Sequence, residues 1–140
     1  MSGIIYSALR TPDGTTIESK SRHDYVTHID ANGKEYMIDG GLDYVRCSAH
    51  GDEEHLTVTL EDPHDTVRQY CQWGTYGPNR DQPLTYKKLC DMSDAHINAV
   101  LENVSRIRAS IKSAMLNELE YRKEQAKIPT YQKELNFYGN

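Results

Sequence analysis

Large apolar side chains are scarce in this chain of 140 residues, which holds one phenylalanine, one tryptophan and 37% hydrophobic residues in all. Mean hydropathy is −0.75. So thin a supply fills one modest core, and oligomerisation is the way to bury more. No run approaches the roughly 20 apolar residues that span a bilayer. The opening Met1-Ser2-Gly3-Ile4-Ile5-Tyr6 lacks a basic stretch followed by an apolar one, so no signal peptide is read there. The cysteines are Cys47, Cys71 and Cys90, an odd count without a C-x-x-C pair. That pattern points to free thiols in a reducing cytoplasm, and it is too sparse for a zinc site of cysteines alone. Basic excess is missing too. Sixteen bases stand against 21 acids, a net charge of −5. This argues against wrapping duplex DNA or RNA and leaves room for a small anion held by local arginines. Nucleophile elbow, Walker loop and H-E-x-x-H are absent, and no repeat or low-complexity tract is seen.

What the chain does have is ten tyrosines, set among polar residues. Tyrosine offers a flat apolar face with a hydrogen-bonding tip, which suits a half-wet recognition surface. Faces that stack a base and arginines that hold a phosphate are what a nucleotide pocket needs. A small sheet carrying tyrosine on its outer face for β-propensity accounts for the same residues.

The pattern predicts an α+β domain over residues 1–127, with strands in 1–90 and helix in 93–127, then a loose tail over 128–140. Strands are expected at 4–9 and 15–19 around the turn Thr11-Pro12-Asp13-Gly14. A hairpin pairs 25–30 with 34–38 across Asn32-Gly33. Further strands are read at 42–48, 56–60, 71–76 and 84–89. A short helix to about Tyr70 starts at Asp62-Pro63, with Asp62 as the cap. Ser93 caps the C-terminal helical stretch, and Ser105 marks a point where it would kink or break. Ile97, Val100, Leu101, Val104, Ile107, Ile111, Met115 and Leu119 form its apolar arc. If that helix runs straight, Arg108, Glu118 and Arg122 turn into the arc, where a charge must be paired or hold a ligand. A Glu118–Arg122 pair at i,i+4, with Arg108 snorkelling, is the structural alternative. A break at Ser105 would remove Arg108 from the arc.

His23-Asp24 and His64-Asp65 are the elements a metal-dependent phosphohydrolase would use, although such sites need further ligands on neighbouring helices. Gly74-Thr75-Tyr76-Gly77 with Asn79 is either a plain loop or a place where backbone amides meet phosphate oxygens.

Arg22-His23-Asp24-Tyr25-Val26-Thr27-His28 is one of several long, unusual motifs. The others are the run from Met37 to Arg46, Asp62-Pro63-His64, Trp73-Gly74-Thr75-Tyr76-Gly77 through Leu84, and Leu116 to Arg122. Together they resemble the phage Thoeris anti-defence sponges of the first type described, over most of the chain from Ile4 to about Lys123. Cys47 departs from the pattern, standing where a second arginine after Arg46 is expected. The resemblance implies an antiparallel sheet followed by long C-terminal helices that dimerise and can build a hexamer. It implies a protein of the infected host's cytoplasm that binds cyclic ADP-ribose isomers between subunits and withholds them uncleaved. Some relatives also hold cyclic oligonucleotides. No cofactor and no catalytic residue are implied. The expected ligand-binding residues are Trp73, Tyr76 and Asn79, with Arg106, Arg108 and Lys112 on phosphates. Arg22, His23 and Arg46 form a second anionic contact. A small phosphohydrolase, or a phage protein that inhibits a host protein by direct binding, are the rival readings.

Overall fold

The computed structural model describes residues 3–42 and 45–129. Eight strands precede or interleave with three helices: β1 (Ile4–Arg10), β2 (Thr16–Glu18), β3 (Val26–Ile29), β4 (Glu35–Asp39), β5 (Arg46–Cys47), β6 (Glu54–Thr59), α1 (His64–Tyr70), β7 (Gln72–Thr75), β8 (Thr85–Lys88), α2 (Asp94–Asn103) and α3 (Ala109–Ala126). The fold is α+β, with three antiparallel sheets in the orders β2-β1-β6, β3-β4-β5 and β7-β8. Local signals set most of this. Thr11 and Thr15 close the first turn through a 2.9 Å N–H to carbonyl bond, and Gly14 takes the left-handed backbone the turn requires, at φ +90°. In the second hairpin the buried Asp30 carboxylate accepts the Asn32 N–H at 2.9 Å, which lengthens the connection beyond a two-residue Asn-Gly turn.

β1 is the middle strand of the middle layer. Alternate residues of a strand face opposite sides. Tyr6 and Ala8 join a core with Val58, Val67, Ile97, Ile111 and Met115 under the helices. Leu9 turns the other way, into a second core with Ile17, Tyr36 and Ile38 of the β3-β4-β5 sheet. A register shift between Ile4 and Tyr6 marks a bulge, which puts Ile5 on the helix side with Tyr6.

Several expectations change. The C-terminal stretch takes the broken form allowed at Ser105, as two helices separated between Asn103 and Ala109. Arg108 therefore does not enter the apolar arc: it occupies the N-cap of α3 and is exposed. The arc itself is covered within the chain, since Ile97, Val100, Ile111 and Met115 are buried and Leu101, Val104, Ile107 and Leu119 pack against them. Ser93 caps α2 as expected, accepting from the His96 N–H at 3.0 Å. Asp62 does not cap α1. Pro63 takes that place, and Asp62 accepts the Thr59 N–H at 2.8 Å. The strand expected over 42–48 shortens to Arg46–Cys47; Asp43 and Tyr44, and the tail from Thr130, lie outside the described residues.

Glu118 is the deepest charge in the molecule, with no exposed surface. Arg68 of α1 grips both of its oxygens, at 2.9 and 2.8 Å. His64 Nε2 lies 2.9 Å from Oε1, and Arg122 Nε donates to Oε2 at 2.7 Å. Arg122 also donates to the carbonyls of Leu89 and Met92, at 3.2 and 2.7 Å, and to Asp94 at 2.5 Å. The Tyr121 ring closes one side, 4.7 Å from the Arg68 guanidinium and 5.2 Å from the His64 ring. Burial alone would raise the Glu118 pKa, but the bonds from Arg68, His64 and Arg122 overcome it and hold it below the usual range. A carboxyl depressed on folding stabilises above its unfolded pKa and loses that contribution as pH falls through its folded one. We expect Glu118→Gln to lower stability by about 3–5 kcal/mol near neutrality, the scale for stranding buried charges. The gap between parent and variant should narrow in denaturant titrations below about pH 4, as the parent's carboxyl protonates.

Candidate nucleotide-binding site

Arg22 and His23 stand exposed on the turn after β2. The turn is held from beneath. Ser19 Oγ donates to the Asp24 carbonyl at 2.6 Å and accepts the Gly41 N–H at 2.8 Å, and Asp24 accepts the Lys20 N–H at 2.9 Å. Gly41, at φ +56°, packs so closely on Ser21 that a Cβ would lie 2.6 Å from its carbonyl carbon. Two residues before Gly41, Asp39 pairs with exposed Arg46 at 2.5 Å. The segment that carries Arg22 and His23 is thus held at Gly41, two residues beyond the Asp39 that pairs with Arg46.

Tyr76 is 53% exposed at the start of the loop joining β7 and β8, and Asn79 is exposed within it. The loop is braced by Gln82 N–H to the Tyr76 carbonyl at 2.9 Å and Arg80 N–H to the Gly77 carbonyl at 3.1 Å. Arg80 takes a left-handed backbone, φ 57°, rare outside glycine and asparagine. The glycines do not open room for a ligand here. A Cβ on Gly77 would meet Gln82 at 2.8 Å, and one on Gly74 would meet Tyr86 at 3.1 Å and Leu84 at 3.2 Å. Trp73 is half-buried and packs against the main core. Its ring is part of the scaffold that carries Tyr76.

Arg106, Arg108 and Lys112 are exposed around the start of α3. The end of that helix is tied down by Ser110 Oγ, which donates to the Ile4 carbonyl at 3.0 Å. A helix N-terminus carries partial positive charge, so these cations add to a field already favourable to anions.

Two concavities lie elsewhere, and none of the nine residues expected from sequence lines either. One is a cavity of about 40 Å³ bordered by Tyr6, Tyr70, Tyr86, Glu18, Lys20 and Gln72 among others. It has room for roughly two or three waters and is far below nucleotide size. Tyr6 donates to Glu18 at 2.5 Å, its ring lies 5.0 Å from that of Tyr70, and the Lys20 ammonium sits 5.1 Å above the Tyr86 ring. Burial first, and Glu18 second, push the Tyr6 hydroxyl well above the ordinary tyrosine range, so it stays a donor. The other is a groove of about 390 Å³ between α2 and α3, lined by Asp94, Asn98, Leu119, Arg122, Lys123 and Ala126. Helical spacing gave Leu119 and Arg122 a common face, but nothing in the sequence signalled the tyrosine cluster, whose members come from β1, α1 and β8.

Three of the four His and Asp residues of the hydrolase reading are engaged separately, and the fourth, His23, is exposed. His64 is bonded to Glu118, Asp65 to Tyr121, and Asp24 to the Lys20 amide. Among the described residues, no three of His, Cys, Asp or Glu converge on a point that could hold a metal ion.

Comparison with family models, with curated proteins and with solved structures returned no match. The resemblance to the sponge family rests on the motifs alone.

The Gly41 contact gives a test of how the cationic turn is held. Gly41→Ala should destabilise by about 2–4 kcal/mol, because strained backbone and a clash with Ser21 add. Gly33→Ala, at φ +82° with open space around it, should cost only about 1–2 kcal/mol. Urea midpoints of the two variants against the parent check the ranking.

Proposed function

We propose that this chain is a phage anti-defence sponge: it binds a cyclic nucleotide immune signal, of the cyclic ADP-ribose type, and withholds it without cleaving it. The observation that carries this reading is a ring and an amide, Tyr76 and Asn79, exposed on a loop that its own hydrogen bonds hold in shape. Binding to such a loop loses little entropy, because the loop is ordered beforehand. Exposed cations stand in two further groups, Arg22, His23 and Arg46, and Arg106, Arg108 and Lys112, on a chain whose net charge is −5. Local cations against an acidic background suit a small, compact anion better than a nucleic-acid duplex. A sponge has no turnover, so it must bind tightly. A nanomolar site is worth about 12 kcal/mol, which one stacked ring and two phosphate-directed arginines supply in large part. The partner of each chain is a second copy, in a dimer or hexamer, with loop and helix cations of different subunits meeting at one ligand. Its place of action is the cytoplasm of the infected host. A separate use of the same surface on cyclic oligonucleotides falls to Arg22, His23 and Arg46.

Incubation with extract of signal-producing infected cells, followed by heat denaturation and mass analysis of the supernatant, tests the reading. Intact cyclic nucleotide is the expected release. A hydrolysed product would make the chain an enzyme, and no nucleotide would favour inhibition of a host protein. With a cyclic ADP-ribose isomer in hand, Tyr76→Ala and Arg108→Ala should each weaken binding by about 1–3 kcal/mol at unchanged stability, the scale of one stacked ring or one charge-assisted bond. Unchanged affinity in both would move the site elsewhere.

The oligomer is tested separately. Leu116 is 50% exposed on α3, beside the α2–α3 groove, and is the apolar surface a second copy would cover. Light scattering at micromolar concentration should give a multiple of 16.0 kDa. A monomer mass would remove the intersubunit site.

A further inference from the structure

Cys47 of β5 and His55 of β6 come from different sheets and meet at the rim of the second core. Register explains the meeting. His55 pairs with Leu9, and Leu9 faces the sheet that carries Cys47. Cys47 Sγ and His55 Nδ1 are 3.5 Å apart. On the far side of the imidazole, Nε2 lies 3.7 Å from Glu53 Oε1. The Glu53 side chain is 2% exposed, and its carboxylate is held in place by the N–H groups of His50 and Gly51, at 3.1 and 3.2 Å. The neighbouring acids are engaged elsewhere, Asp52 with Lys34 and Tyr36, and Glu54 with Arg10.

We propose that Cys47 and His55 form a two-donor site for a thiophilic divalent cation such as zinc. The geometry is that of a chelate. Zinc binds sulfur at about 2.3 Å and imidazole nitrogen at about 2.0–2.1 Å, so at the tetrahedral angle its two donors stand about 3.5 Å apart. The buried Glu53 carboxylate lies beyond the imidazole at ion-pair distance, and its negative charge favours a cation nearby. The way in is open, since the His55 side chain is 53% exposed. On binding, the Cys47 proton passes to solvent and the thiolate donates its electron pair to the cation. A cysteine must lose its proton to bind a metal, so uptake strengthens with rising pH. Two coordination positions remain for water or for a donor outside the chain, so the site is weaker than a four-donor structural one.

The full, reduced chain titrated with cobalt(II) tests this. The expected result is a thiolate-to-cobalt charge-transfer band in the near ultraviolet, bleached by added zinc. Cys47→Ser should abolish it, and Cys90→Ser should leave it unchanged. His55→Ala should weaken cobalt binding at least tenfold. Circular dichroism of each variant controls for folding. No charge-transfer band in the parent, or a band that survives Cys47→Ser, overturns the proposal and leaves a thiol hydrogen-bonded to a histidine.

Discussion

The arrangement of the helices depends on one carboxylate. Glu118 sits without solvent on α3, and stripping an ion of water costs several kcal/mol. That cost is met by three donors, His64 and Arg68 on α1 and Arg122 one turn further along α3, and Arg122 carries the contact on to the carbonyls of Leu89 and Met92 and to Asp94 at the start of α2. Apolar packing tolerates sliding by a fraction of a turn. A guanidinium gripping two oxygens does not, because both bonds fail when the planes separate. Glu118 therefore fixes how α1 and α2 sit on α3. Every buried side-chain polar atom among the described residues has a partner, which is the condition under which a polar centre of this kind is tolerated.

Arg68, Arg122 and His64 serve that centre, while Arg22 lies exposed on a turn, Arg46 on β5, and Arg106, Arg108 and Lys112 around the start of α3. The turn is stiffened by the packing of Gly41 on Ser21, and the helix start by the bond from Ser110 to the Ile4 carbonyl. A binder needs groups that are exposed and already in position, and turns anchored on a sheet meet both needs at low cost in hydrogen bonds. Tyr76 and Asn79 belong to the β7–β8 loop and the α3 cations to a helix start, two different elements of the chain.

Local chemistry was readable in the residues. Thr11 to Gly14, the turn around Asn32-Gly33, the cap at Ser93 and the helix beginning near Pro63 all follow from side chains that act within a few residues of themselves. The inward turn of Glu118 and Arg122 was readable too, because both lie beyond the break at Ser105. Arg108 was misplaced because it is the N-cap of α3, on extended backbone just outside the helix whose phase Glu118 and Arg122 follow. His64 and Arg68 lie 54 and 50 residues from Glu118, and no periodicity spans that distance. The glycines at 74 and 77 were read as open space, whereas Tyr86 and Gln82 fill it. Residue type signals that a side chain is missing and is silent on what occupies the gap. Cys47 and His55 were passed over singly, since their meeting is a product of two strand registers.

β1 lends one face to each of two cores, through Tyr6 and Ala8 on one side and Leu9 on the other. A partition wall that holds up two rooms cannot be taken out for the sake of one. Pulling β1 away to open the helical layer withdraws Leu9 from Tyr36 and Ile38 in the same movement. Displacing β1 thus disturbs both cores at once, and in a small protein with little apolar material one strand couples the helical layer to the second sheet.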